Sequence, residues 1–295
     1  MDHVTALSPT LLSHSEWTAR AQAHAAAVDA LTAGHRERRG LGERHALEDF
    51  LFDYYGIRPS RLRRWHPGAG VALEDAGERS TWRFYRDDAG VTAVDVDAFL
   101  AARGRDVRGV AVLLRATARR DPWLGCFGLH EWAMVYRAGD DRRHPLPLRL
   151  GQAGTDAVVE SHRLACTHCD AFRFFTPEAA PLNQLRPTRE TQAATEQPGC
   201  LHATMDLYKW CAKLAPAVPS DLTLEAFTLA LDARALDMQA SPYDVAPFGL
   251  DPIPVETADG KRAYVVRQRE IMARGQDLRA RILEVLEAIR GSAGA

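Results

Sequence analysis

Lysine is almost absent from this chain: Lys209, Lys213 and Lys261 are the only three among 37 basic residues. Arginine therefore carries nearly all the positive charge, a bias of coding composition from which no function is read. Charge of one sign is lacking too. The 37 basic and 39 acidic residues leave a formal net charge of -2, so no global field draws the protein onto nucleic acid or an anionic membrane. Cysteine is sparse and odd in number, at 126, 166, 169, 200 and 211, which argues against a disulfide framework and favours reduced thiols or cofactor ligands. No run of about 18 apolar residues occurs, and the first thirty residues hold no apolar leader. The expectation is a soluble, cytoplasmic protein with no membrane partner. A Gly-rich phosphate loop after a strand, a Gly-x-Ser-x-Gly elbow and a His-Glu-x-x-His pair are all missing, so kinase, dehydrogenase, serine-hydrolase and zinc-protease chemistry have no foothold.

What is present is an ordinary globular composition: 295 residues, 46% hydrophobic and 26% charged, enough for a sizeable core. Helical periodicity dominates. An alanine-rich stretch from Leu12 to Leu31 reads as a helix ending at Gly34, and Glu43 to Tyr55 as a second ending at Gly56. Arg58-Pro59 opens a short basic helix. Residues 71–73, 81–85 and 91–94 read as two or three short strands or irregular loop, between turn signals. Helical spacing resumes over 95–103, 107–119 and 123–137, and again around 156–166 after a Pro/Arg-rich link at 138–151. Pro177, Pro181, Pro187 and Pro198 then mark a loop-rich segment. Three long stripes, 201–214, 222–238 and 265–290, are the clearest helices. Asp259-Gly260 between the last two reads as a hairpin turn. No repeat and no long linker appears, so the expected architecture is mainly α: a single helical domain over 1–295 with one or two small β-hairpins. An N-terminal helical segment covers 1–67 and the core covers 95–290.

The chemistry-bearing residues crowd into Ser161-His162-Arg-Leu-Ala-Cys166-Thr-His168-Cys169-Asp170. If 156–169 continues as a helix, His162, Cys166 and Cys169 fall at i, i+4 and i+7 on one face. A second patch is Cys200-Leu-His202, opening the helix that carries Asp206 and Lys209. A third is Cys126-Phe-Gly-Leu-His130-Glu131-Trp132. Cys166, Cys169, Cys200 and His202 together form one candidate zinc set; buried, chemically silent thiols are the plain alternative. Glu131 and Asp206, beside candidate ligands, are candidate catalytic acids or partners to a histidine. Arg189 and Gln192 on the proline-rich loop, with Lys209, are candidate substrate contacts.

The order His130, then His162-Arg-Leu-Ala-Cys166, resembles the motif of the haem-dependent aromatic oxygenases, the group of the 3-methyltyrosine hydroxylase of saframycin biosynthesis. That resemblance implies a covalent haem with His130 and His162 on the iron and Cys166 in a single thioether. It also implies monooxygenase or hydroxylase activity on a small aromatic amino-acid-like substrate, with an oxidant or reductant as co-reactant. Over a longer span, Glu48-Asp-Phe-Leu-Phe52, Leu62-Arg-Arg-Trp-His-Pro-Gly68 and Met205-Asp-Leu-Tyr-Lys209 resemble a group of bacterial proteins labelled 3-methyladenine DNA glycosylase. The expectation is a haem-dependent oxidoreductase; a zinc-stabilised non-enzymatic or DNA-repair-type protein is the alternative. Arg58–Arg64 is the one evident basic run, read here as a solvated face rather than a nucleic-acid surface.

Overall fold

The computed structural model describes residues 10–139 and 146–291. It is mainly helical, 59% helix, and the described residues form eleven α-helices and one small four-stranded sheet, as the periodicity requires. Among the described residues no helix is long and apolar enough to cross a membrane. The chain groups into two compact units, neither of them a continuous stretch of sequence.

Unit 1 is built from residues 10–114, 207–228 and 278–291. It opens with strand β1 (Thr10–Leu12) and helix α1 (His14–Gly40). A capping box starts the helix: the Glu16 amide donates to Ser13 Oγ and the Ser13 amide to Glu16 Oε2. The helix runs six residues past Gly34, because one internal glycine costs only about 1 kcal/mol. Helix α2 is confined to Phe50–Tyr55 and stops where expected, with Gly56 left-handed at φ 64°. Helix α3 (Pro59–Leu62) follows, then β2 (Val71–Glu74), β3 (Tyr85–Asp88) and β4 (Val91–Val94). Strands β3 and β4 form a hairpin, turning at Ala89-Gly90 with both residues at positive φ; the strand expected over 81–85 lies at 85–88 instead, because Gly77–Thr81 closes into a 3-10 turn. The sheet order is β1-β2-β4-β3, with β1 parallel to β2 and the other pairs antiparallel. Strand β1 has no counterpart in the sequence reading; three residues are too few to show a period of two. Beneath the sheet Leu12, Trp17, Trp65, Leu73 and Ala76 form an apolar cluster, and Trp17 Nε1 donates to the Glu74 carbonyl at 2.8 Å. The buried Arg79 guanidinium lies over the Trp17 and Trp82 rings and donates to the Trp65 carbonyl.

Unit 2 comprises residues 115–206 and 229–277. Helix α4 (Val96–Arg119) is continuous through Gly104 and ends in this unit. The stretch 123–137 yields only α5 (Leu129–Ala133), since Phe127 and Gly128 are left-handed and break the preceding turn. Helix α6 (Gly151–Ser161) ends well short of 169, which overturns the expectation of a helix through the cysteines. Ser161 Oγ donates to the Val158 carbonyl at 3.2 Å, and His162 Nδ1 lies 2.7 Å from the same oxygen, so side chains occupy the acceptor that the next helical amide would need. Beyond it, Asn183 Oδ1 accepts from the Cys166 amide and Asn183 Nδ2 donates to the Cys166 carbonyl, holding this segment extended. Two short helices follow, α7 (Cys169–Phe172) and α8 (Gln192–Thr195). The three clearest helices are all present: α9 (Leu201–Lys213), α10 (Ser220–Gln239) and α11 (Ala258–Gly291). Asp259-Gly260 is not a hairpin turn but the first turn of α11. Thr257 Oγ1 accepts from the Gly260 amide, Asp259 favours the helix dipole, and a Cβ at 260 would stand 2.0 Å from the Pro254 oxygen.

Candidate metal centre

Within unit 2 the structure gathers polar side chains into a buried cluster. Helix α5 presents His130 and Glu131; α9 presents His202 and, one turn on, Asp206; α10 presents Arg234 and Asp237; His168 precedes α7 and Glu196 follows α8. All eight are buried. Two groups of three have donor atoms lying within 4.8 Å of one another: His130, His202 and Asp237, and His168, Glu196 and Asp206. The two groups are neighbours, because the His202 ring lies 4.7 Å from that of His130 and 5.3 Å from that of His168.

In the first group His130 Nε2 and Asp237 Oδ1 are 2.9 Å apart, yet neither is aligned for a hydrogen bond to any partner. Buried polar atoms are seldom left so. The 2.9 Å separation is that of an ion pair, and it lies just under the roughly 3.0–3.5 Å between two donors each about 2.0–2.2 Å from a shared ion. Burial alone would lower the His130 pKa, but the Asp237 carboxylate outweighs it and holds the imidazole well above its usual value. His202 goes the other way, driven well below its usual value by burial and by the rings of His130 and His168. Its lone pair is therefore available to a cation. Arg234 Nη1 donates to Glu131 at 2.9 Å and to Asp237 at 3.0 Å. Glu131, expected among the reacting groups, thus acts through Arg234 to orient Asp237.

A narrow cavity adjoins the first group, lined by Cys126, Cys166, Cys200, Tyr264 and Gln268 together with His130 and His202. It has room for about one water-sized molecule. Burial raises the pKa values of Cys166, Cys200 and Tyr264, so these groups face the cavity protonated. Gln268 Nε2 donates to the Gly199 carbonyl while its Oε1 has no partner.

The other expected site residues are placed as follows. His162 is half-buried on the Val158 carbonyl and lies in the field of Glu256, off the helical face it was to share with Cys166. Among the described residues, neither three-donor group contains a cysteine, so Cys166, Cys169, Cys200 and His202 are not assembled as a zinc set. Arg189 is engaged with Asp170 at 2.9 Å and with Gln192 at 3.0 Å, and Gln192 Nε2 passes on to Glu196 at 2.8 Å. Both support the cluster from behind. Lys209 stacks its ammonium 4.3 Å from the Trp210 ring in unit 1. Asp237, Glu196, His168 and Arg234 had no role assigned from sequence. The available signal was the pair Arg234 and Asp237, two charges inside the otherwise apolar face of α10.

Compared with protein-family models, curated proteins and solved structures, the chain matches none.

Proposed function

We propose that this protein is a metal-dependent oxidoreductase whose centre is a non-haem iron held by His130, His202 and Asp237. The carrying observation is the convergence of their three buried donor atoms, with His130 Nε2 and Asp237 Oδ1 paired at 2.9 Å but not aligned as a hydrogen bond. Two imidazoles and one carboxylate are the ligand set of iron(II) sites that keep positions open for a small oxidant. Bound there, the ion supplies activation of dioxygen. The protein's own residues do the rest. Arg234 and Glu131 fix the Asp237 carboxylate, the protonated thiols and Tyr264 line a space for about one water-sized molecule, and burial excludes bulk water. The expected oxidoreductase class is kept, while covalent haem through Cys166 has lost the shared helical face that supported it. The same triad also suits zinc, which the metal found in the protein distinguishes.

The test is metal analysis of the full chain after chelation and anaerobic return of Fe2+. Wild type is expected to hold an iron ion that Asp237→Asn and His130→Ala do not, with nitric oxide giving an iron–nitrosyl electron paramagnetic resonance signal in wild type only. Full retention by Asp237→Asn would overturn the reading, as would a Soret band that survives acid–acetone extraction.

A further inference from the structure

We propose that His168, Glu196 and Asp206 hold a second divalent cation beside the first, making a two-metal centre. The inference deepens the reading above and rests on it for the neighbouring ion. The three side chains come from separate places in the chain, before α7, after α8 and within α9. All are closed off from solvent, at 0%, 1% and 0% exposure respectively. His168 Nε2 stands 3.4 Å from Asp206 Oδ2 and 3.7 Å from Glu196 Oε2. The first is a long hydrogen bond and the second an ion pair only, both well beyond the about 2.7–2.9 Å of charge-assisted hydrogen bonds. The first falls within the roughly 3.0–3.5 Å between neighbouring donors on one ion, and the second just beyond it.

The surroundings support ligands rather than compete with them. Glu196 Oε2 accepts from Gln192 Nε2 at 2.8 Å and its Oε1 from Thr117 Oγ1 at 3.3 Å, leaving further lone pairs on a carboxylate whose orientation is now fixed. Gln192 is itself tied to Arg189, which is anchored on Asp170. His168 Nδ1 accepts a long 3.3 Å bond from the Ala171 amide. A cation on Nε2 places the ring proton on Nδ1 and gives up that weak contact. Two carboxylates and one imidazole are a harder donor set than the first group, so this site favours manganese or iron(II) over soft ions. The two groups are joined through α9, where His202 of one and Asp206 of the other are one helical turn apart. Such proximity is what lets two ions clamp one small ligand.

The experiment is reconstitution of the chelated full-length chain with Mn2+, read by metal content per chain and by electron paramagnetic resonance. Wild type is expected to take about two ions per chain and to show an exchange-coupled spectrum. Glu196→Gln and Asp237→Asn should each fall to half the wild-type content and show the spectrum of an isolated ion. One ion per chain in wild type, lost in Asp237→Asn but kept in Glu196→Gln, would overturn the second site and leave the first standing. One ion lost in Glu196→Gln but kept in Asp237→Asn would instead support this site and sink the earlier reading. Should Glu196→Gln not fold, the wild-type content and spectrum decide alone: an uncoupled spectrum overturns the pair.

Discussion

His66 makes unit 1 acid-sensitive by a calculable amount. Its ring sits half-buried, with Nδ1 2.9 Å from the Tyr85 hydroxyl. Burial, reinforced by Arg79, Arg64, His24 and Arg61, drives its pKa from 6.5 down to about 3. In the unfolded chain the imidazole titrates near 6.5, so between the two values the unfolded state binds one more proton. Stability is then fully present above pH 6.5 and is lost as pH falls toward 3. One proton corresponds to about 1.4 kcal/mol per pH unit, so by pH 4.5 the loss is on the order of 3 kcal/mol. His66→Asn keeps an acceptor for Tyr85 and removes the titration. Urea unfolding followed by tryptophan fluorescence suits the test, because Trp65 is adjacent and Trp82 lies 5.8 Å from the His66 ring. The wild type should lose stability from pH 7 to 4.5 more steeply than the variant, by about one proton's slope. Other groups such as Asp49, whose pKa is lowered, contribute equally to both proteins and cancel. Parallel pH profiles for the two would refute the argument.

Gly260→Ala should lower thermal stability by more than about 2 kcal/mol, since its Cβ would meet the Pro254 oxygen at 2.0 Å; a melting temperature within a degree of wild type would contradict the close approach. Arg234→Met leaves Glu131 and Asp237 facing each other without their shared guanidinium and should cost about 3–5 kcal/mol. Pairing it with Glu131→Gln should recover part of that loss in chemical denaturation, whereas strict additivity would show that the two do not interact. Duplex DNA should bind weakly and without sequence preference, and 3-methyladenine should not be released from alkylated DNA. The basic run is internally engaged: Arg61 donates to the Ala212 carbonyl, Arg63 to Asp29, and Arg64 lies over the Trp82 ring. Tight, steeply salt-dependent binding in a filter or fluorescence assay would reverse this.

The helices were legible where one face repeats over many turns. Residues 201–214 and 222–238 needed only periodicity, and Gly56 ended its helix by conformation alone. What failed was local grammar overruled by distant partners. Asp259-Gly260 has the composition of a turn, but the Pro254 carbonyl selects glycine there for space. The run from His162 to Cys169 has helical spacing, but Asn183, seventeen residues beyond Cys166, takes that residue's backbone bonds. The site was half legible for the same reason. His130, His168, His202 and Asp206 stood out as rare or charged residues near cysteines, His168 without a role. Asp237 and Glu196 join them only through tertiary proximity, which spacing along a chain does not encode.

The discontinuity of unit 1 has a consequence for how the protein is made. Its residues 10–114 leave the ribosome well before 207–228 and 278–291, which complete the same unit. At about 5–20 residues per second the early part waits roughly ten to thirty seconds for the last helix to emerge. During that interval the sheet and its tryptophans lack the α10 and α11 segments assigned to their unit, and incomplete apolar surface of this kind is what chaperones recognise. Translation speed and chaperone supply should therefore govern the yield of this protein, and a truncation within α11 should harm the N-terminal strands that were synthesised first.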